Sequence, residues 1–171
     1  MERPLLKIQF ITGLVLIFGL TSAQERWNFS ADGEIEGTKI NGLEVRRLNE
    51  NVRFVKTGKV ILADNAAQYI KDDVLHLNGN TIMINGLDTL TCDSMVYWSK
   101  LDSGYAMGNV RYIQPEKDRR LTTDIFHYWQ TDGYRGSSFF TNGYTRIIET
   151  NRLMAANKIK YDDKFQLMIL I

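Results

Sequence analysis

Asp64, Asp93 and Asp124 recur at steps of 29 and 31 residues, and Asn157 follows after 33 more. Carboxylates repeated along one face make a ladder for metal coordination or for paired acid–base chemistry. An Asp just after an apolar strand residue has a commoner use, which is to bond nearby backbone N–H groups at a turn. Tyr69, Tyr97, Tyr128 and Tyr161 follow with steps of 28, 31 and 33, and read as packing residues before ligand stacks. His76 and His127 fall at non-equivalent places in these units, so a shared metal site is not expected. Cys92 has no His or basic neighbour in sequence and reads as a small buried hydrophobe. The chain holds no G-x-S-x-G, H-E-x-x-H, P-loop or C-x-x-C motif. The expectation is therefore a non-enzyme with no catalytic residue, no metal ligand and no cofactor. A hydrolase on such a scaffold would need a carboxylate pair facing inward.

These residues must be positioned by strands. The chain has 171 residues, 44% hydrophobic, 24% charged and 11% aromatic, with 13 glycines and two prolines. That composition allows one folded domain and leans toward all-β. "LTCDSMVYW" (90–98) returns as "LTTDIFHYW" (121–129). A second marker, Asn51, Asn80, Asn109 and Asn142, steps by 29, 29 and 33. Two markers with one drifting period predict about four stacked units of about 30 residues. Short β-branched runs such as "KVILA", "TIMI" and "NVRYI" alternate with Gly-Asn, Asp-Gly and Asp-Asp turns. The Gly before the Asn is expected to take a positive φ and bend the strand at a bulge.

The first residues read differently. Arg3 and Lys7 precede a 13-residue apolar run, Ile8 to Leu20, and small residues at Thr21 and Ala23 follow. That is the pattern of a secretory signal peptide over residues 1–23, cleaved after Ala23. A spanning helix would need about 20 apolar residues. Export takes the mature chain out of the cytoplasm. Removing Arg3, Lys7 and Glu2 from 21 cations and 20 carboxylates leaves 19 of each. A chain of zero net charge lacks the basic surplus that nucleic acid requires. Residues 24–39 read as an N-terminal lead-in and residues 40–171 as the β domain.

Alternation assigns one apolar face. Val52 and Phe54 share it in "NVRF", Leu75 and Leu77 in "VLHL", and Ile82 and Ile84 in "TIMI". Tyr105 and Met107 share it in "GYAM", then Val110 and Tyr112 after the Gly-Asn step. No unit buries such a face alone, so the ten residues are expected to line a common interior between two sheets.

"LTCDSMVYW" followed by "GYAMGNVRYIQ" resembles the OstA-like repeat of LptA-type lipopolysaccharide-transport proteins. It resembles the exported OstA-like proteins of Bacteroidota-like Gram-negative bacteria, which implies a periplasmic location. Gly108-Asn109-Val110 matches the family's corner outright, Gly79-Asn80-Thr81 differs by one residue, and Glu50-Asn51-Val52 lacks the Gly. The resemblance covers about residues 40–167. It implies a twisted, partly open β-jellyroll whose apolar trough shields the lipid A acyl chains of lipopolysaccharide. The ten residues above would line that trough. It also implies LptC-like inner-membrane and LptD-like outer-membrane jellyroll partners, and end-to-end self-association through edge strands.

"YDDKFQLMILI" mirrors "IKDDVLHLNGNTIMI" without the Gly-Asn corner, so the C-terminal edge is expected to be truncated or open. Two other readings stand beside the transport protein. One is a periplasmic jellyroll domain of a larger outer-membrane lipopolysaccharide-assembly protein. The other is a structural or carbohydrate-binding β-solenoid, which predicts a filled core.

Overall fold

β-Branched and aromatic residues in alternation, punctuated by Gly, Asn and Asp, produce strands throughout. The computed structural model describes residues 26–130 and 137–171. The expected signal segment lies outside the described residues. The strands are β1 (Asn28–Ser30), β2 (Ile35–Ile40), β3 (Leu43–Lys56), β4 (Lys59–Tyr69), β5 (Val74–Asn85), β6 (Asp88–Trp98), β7 (Ser103–Gln114), β8 (Arg119–Gln130), β9 (Ser137–Glu149), β10 (Arg152–Asp162) and β11 (Leu167–Leu170). They form one antiparallel sheet in which β3 to β11 follow sequence order. β1 pairs with Arg53–Val55 of β3, and β2 pairs with Leu43–Leu48 of the same strand. The sheet does not close on itself. Of the stretch expected to be a lead-in, residues 28–30 and 35–39 join the sheet as partners for the outer side of β3.

A single crease crosses every long strand. Glu50-Asn51 of β3, Gly79-Asn80 of β5, Gly108-Asn109 of β7 and Gly143-Tyr144 of β9 each put two residues where the neighbour has one. The single residues opposite are Asp64, Asp93, Asp124 and Asn157. This two-against-one pairing is a β-bulge, which bends the strand. Both residues of the first three corners take positive φ: 63° and 48° at Glu50-Asn51, 77° and 43° at Gly79-Asn80, 74° and 48° at Gly108-Asn109. In β9 Gly143 alone does so, at 97°. Pairing also corrects one marker of the repeat. Tyr144, not Asn142, occupies the place of Asn80 and Asn109.

The crease folds the sheet onto itself. Lys59 of β4 lies level with Asn85 of β5 and so with Asp88 of β6. Tyr97 is nine residues further along β6, about 30 Å of extended chain. Yet the Lys59 ammonium donates to the Tyr97 hydroxyl at 3.0 Å. Met83 and Tyr128 make the same point. Met83 is level with Leu90, Tyr112 and Leu121, seven residues short of Tyr128, and the Tyr128 hydroxyl reaches its Sδ at 3.0 Å. The parts of the strands on either side of the crease thus form two facing layers. Their inner faces make one buried apolar cluster from Leu48 to Tyr161. Trp27 closes one end of it, edge-on to Phe54 and Tyr97, with its indole N–H donating to Ser99 Oγ at 2.9 Å.

Candidate functional site between the layers

Six of the ten residues expected to face the interior do so. Val52, Phe54, Leu75, Leu77, Val110 and Tyr112 are all buried. The other four are corrected. Ile82, Ile84, Tyr105 and Met107 lie on the outer face, with Thr81, Met83, Gly104 and Ala106 inward in their stead. Ile84 is 37% exposed and Met107 36%. The physical reason is the corner. Gly-Asn inserts two residues, an even number, so the inward phase of Leu75 and Leu77 continues at Thr81 and Met83. The single Asp of β4, β6 and β8 does the opposite. Inward residues are three apart there, at Ala63 and Ala66, Cys92 and Met95, Thr123 and Phe126.

Register also corrects the tyrosine series. Gln68 is level with Leu75, and Leu75 with Tyr97, so Gln68 and not Tyr69 stands in the inward row of Tyr97, Tyr128 and Tyr161. Tyr69 faces outward against His76, with ring centroids 4.8 Å apart.

Sequence reasoning missed the polar bridges that join the layers at their margin, opposite the crease. At one, the Lys59 ammonium pairs with Asp102, and Tyr97 donates to the same carboxylate at 2.7 Å. At the other, Lys117 pairs with Asp163, and Tyr161 donates to that carboxylate at 2.7 Å. The two triads differ in burial. Lys59 is 7% exposed, so desolvation outweighs its bond to Asp102 and holds its pKa below the usual lysine value. Lys117 is 33% exposed; burial still opposes its charge, but Asp163 outweighs burial and raises its pKa. Burial likewise opposes the charge of Asp163, while the Lys117 and Tyr161 hydrogen bonds win and lower its pKa. Arg119, paired with Glu149, stacks over the Tyr161 ring at 4.2 Å and adds to this margin. The signals in sequence were the repeated tyrosines and the Asp-containing turns. Nothing local tied a lysine 38 or 44 residues upstream to them.

Between the two bridges, around Met83 and Tyr128, the described side chains leave little space. The cavity lined by Met83, Leu90, Tyr112 and Tyr128 has about 10 Å³, room for one water at most. Tyr112 donates to Asp88 at 2.7 Å, and burial first, then that carboxylate, raises its pKa far above the usual phenol value. Cys92 is buried, which pushes its thiol up to about 12. Desolvation lowers the pKa of both His76 and His127 below the usual imidazole value. Among the described residues no three His, Cys, Asp or Glu side chains gather as metal ligands. The inward carboxylates Asp88, Asp102 and Asp163 each bond a different tyrosine.

At Asp64 and Asp93 the recurring Asp holds a side chain instead of capping backbone. Asp64 accepts from the Asn80 side-chain amide, and Asp93 from that of Asn109, both at 2.9 Å. Asp32 does the same for Asn51. In comparison with known proteins, no family model matches the chain, and no curated protein matches it.

Proposed function

We propose that this protein is a lipid-binding member of the OstA-like, LptA-type group. In this reading it shields the acyl chains of lipopolysaccharide between the two layers of a partly open jellyroll, in the periplasm, on the way from inner to outer membrane. The carrying observation is the unclosed, creased sheet whose two inner faces share one continuous apolar cluster. Burial of acyl methylenes between such faces stabilises a complex by about 0.8 kcal/mol each. Phe54, Leu77 and Tyr112 are the inward residues placed to meet a chain. Because the described side chains pack closely around Met83 and Tyr128, acyl entry there requires the layers to part, and the margin bridged by Lys59 and Lys117 is where they part. LptC-like and LptD-like proteins would be the membrane partners, joined through the unpaired strand edges.

The close packing around Met83 and Tyr128 favours a second reading, a structural or carbohydrate-binding β protein that never opens. In vivo photo-crosslinking separates the two. A crosslinker at Phe54, Leu77 or Tyr112 should capture lipopolysaccharide, whereas one at outward Ile84 should not. Failure at all three inward positions would remove the transport reading. If an intact gene continued this sheet into further domains, the same crosslinks would assign the chain to a larger assembly protein.

A further inference from the structure

We infer an anion site for a phosphorylated headgroup at the end of the interior closed by Trp27. A cleft of about 510 Å³ opens there, lined by Arg26, Arg46, Lys71 and Lys100 with one carboxylate, Asp73. The excess of three positive charges is local, since the whole chain carries only +1. Among the described residues none of the four cations forms an ion pair.

The cleft is built rather than a scatter of surface lysines. Arg46 lies level with Gln68 on the inward side, where its guanidinium stacks over the Phe29 ring at 4.3 Å and donates to Gln68 Oε1 at 2.9 Å. That fixes the fork while leaving further N–H donors for a ligand. Lys71 and Lys100 come from the turns after β4 and β6. The Lys100 ammonium donates to the Lys71 carbonyl at 3.0 Å, and the Ser99 N–H donates to the Asp73 carbonyl at 3.1 Å, so the two turns are tied together. Trp27 belongs both to this lining and to the buried apolar cluster. A ligand held here thus meets cations at one end and the apolar interior at the other.

That pairing selects a phosphomonoester on an amphiphile. A planar Arg fork with two ammonium groups suits a dianionic phosphate, and a neutral sugar would leave the charges unmet. The volume exceeds that of a lone phosphate and falls in the range of small-molecule sites. The assignment rests on the lipid-binding reading above for its amphiphile; the phosphate chemistry stands on the cleft alone.

Calorimetry on the full exported chain tests it with three probes: bisphosphorylated lipid A in detergent micelles, the same lipid with both phosphates removed, and inorganic pyrophosphate. The phosphorylated lipid should bind at least about tenfold tighter than its dephosphorylated form. Lys71→Gln with Lys100→Gln, and separately Arg46→Gln, should erase that difference, while Arg152→Gln, exposed and outside the cleft lining, keeps it. Melting curves check that each variant is folded. If both lipids bind equally, the anion site is wrong and the lipid reading survives. If the preference persists in the cleft variants, the site lies elsewhere and the inference is overturned. If only pyrophosphate binds, and the variants lose it, the cleft takes free phosphates and the lipid reading fails instead.

Discussion

The Asp93 carboxylate accepts a hydrogen bond from the Asn109 side chain across the crease, at 2.9 Å and 16 residues away in sequence. Asp64 and Asn80 repeat the relationship at the same separation. Each Asp also lies against the Gly before its Asn, so that a Cβ on Gly79 or Gly108 would collide with it. The corner is a unit of three residues: Gly supplies the left-handed turn, Asn extends it, and Asp holds the Asn from the neighbouring strand.

The corners should respond in opposite directions to glycine. Gly108→Ala adds a methyl group against Asp93 at φ 74° and should lower stability by about 2–3 kcal/mol. Glu50 holds the same conformation at φ 63° without being Gly. Glu50→Gly should raise stability by about 0.5–1 kcal/mol, because relief of left-handed strain outweighs the added chain entropy. Urea denaturation of both variants gives the comparison; a loss of stability in Glu50→Gly would count against the corner as described.

Face assignment has its own measurement. Leu77→Ala removes a buried side chain and should cost about 2–4 kcal/mol. Ile84→Ala and Met107→Ala sit on the outer face and should each cost about 0.5 kcal/mol or little more. Equal costs at Leu77 and Ile84 would contradict the phase set by the Gly-Asn step.

Acid should loosen the margin at Asp163. Its folded pKa lies below the unfolded value of 3.8. Between those two values the unfolded chain binds more protons, so stability rises with pH there. The contribution is complete above about pH 5 and is lost as pH falls through the folded pKa. Asp163→Asn should lower stability at pH 7 and flatten its fall below pH 4, as read from thermal melts across that range. The Lys117 partner acts oppositely, with a raised pKa whose contribution fades only as strongly alkaline pH is reached.

Cys92 should be inert while the chain is folded. Its thiol is buried and raised to about 12, so almost no thiolate forms at pH 8. A thiol reagent should label it at the rate of unfolding and at once in denaturant. Rapid labelling of the native protein would place Cys92 outside the core.

Much of this fold was legible in the sequence. Asp64, Asp93, Asp124 and Asn157 mark the crease in four successive strand pairs, and turn chemistry placed the hairpins at Asp72-Asp73, Asn85-Gly86 and residues 114–118, whereas the Gly-Asn and Asn-Gly steps read as turns lie within β5, β7 and β9. The misreadings share one origin. Ile82, Ile84, Tyr105 and Met107 are as apolar as their buried neighbours, so hydrophobicity alone could not decide which set turns inward. Counting residues through the corner decides it, and that count depends on how many residues oppose the Asp. Tyr69 displaced Gln68 for the same reason: an aromatic drew the alignment one place from the row that pairing defines. The Lys59 and Lys117 bridges were illegible because they depend on the layers meeting, a contact with no local signature.

The alternation of corner types restricts how a relative of this chain could lengthen or shorten. Two-residue corners occupy the odd-numbered long strands and one-residue corners the even ones, each fitted to the other. Deleting a single strand would bring two corners of one kind together, with no acid to hold the amide. Whole hairpins of about 30 residues are therefore the increments by which such a sheet can grow or shrink while keeping its fold line straight.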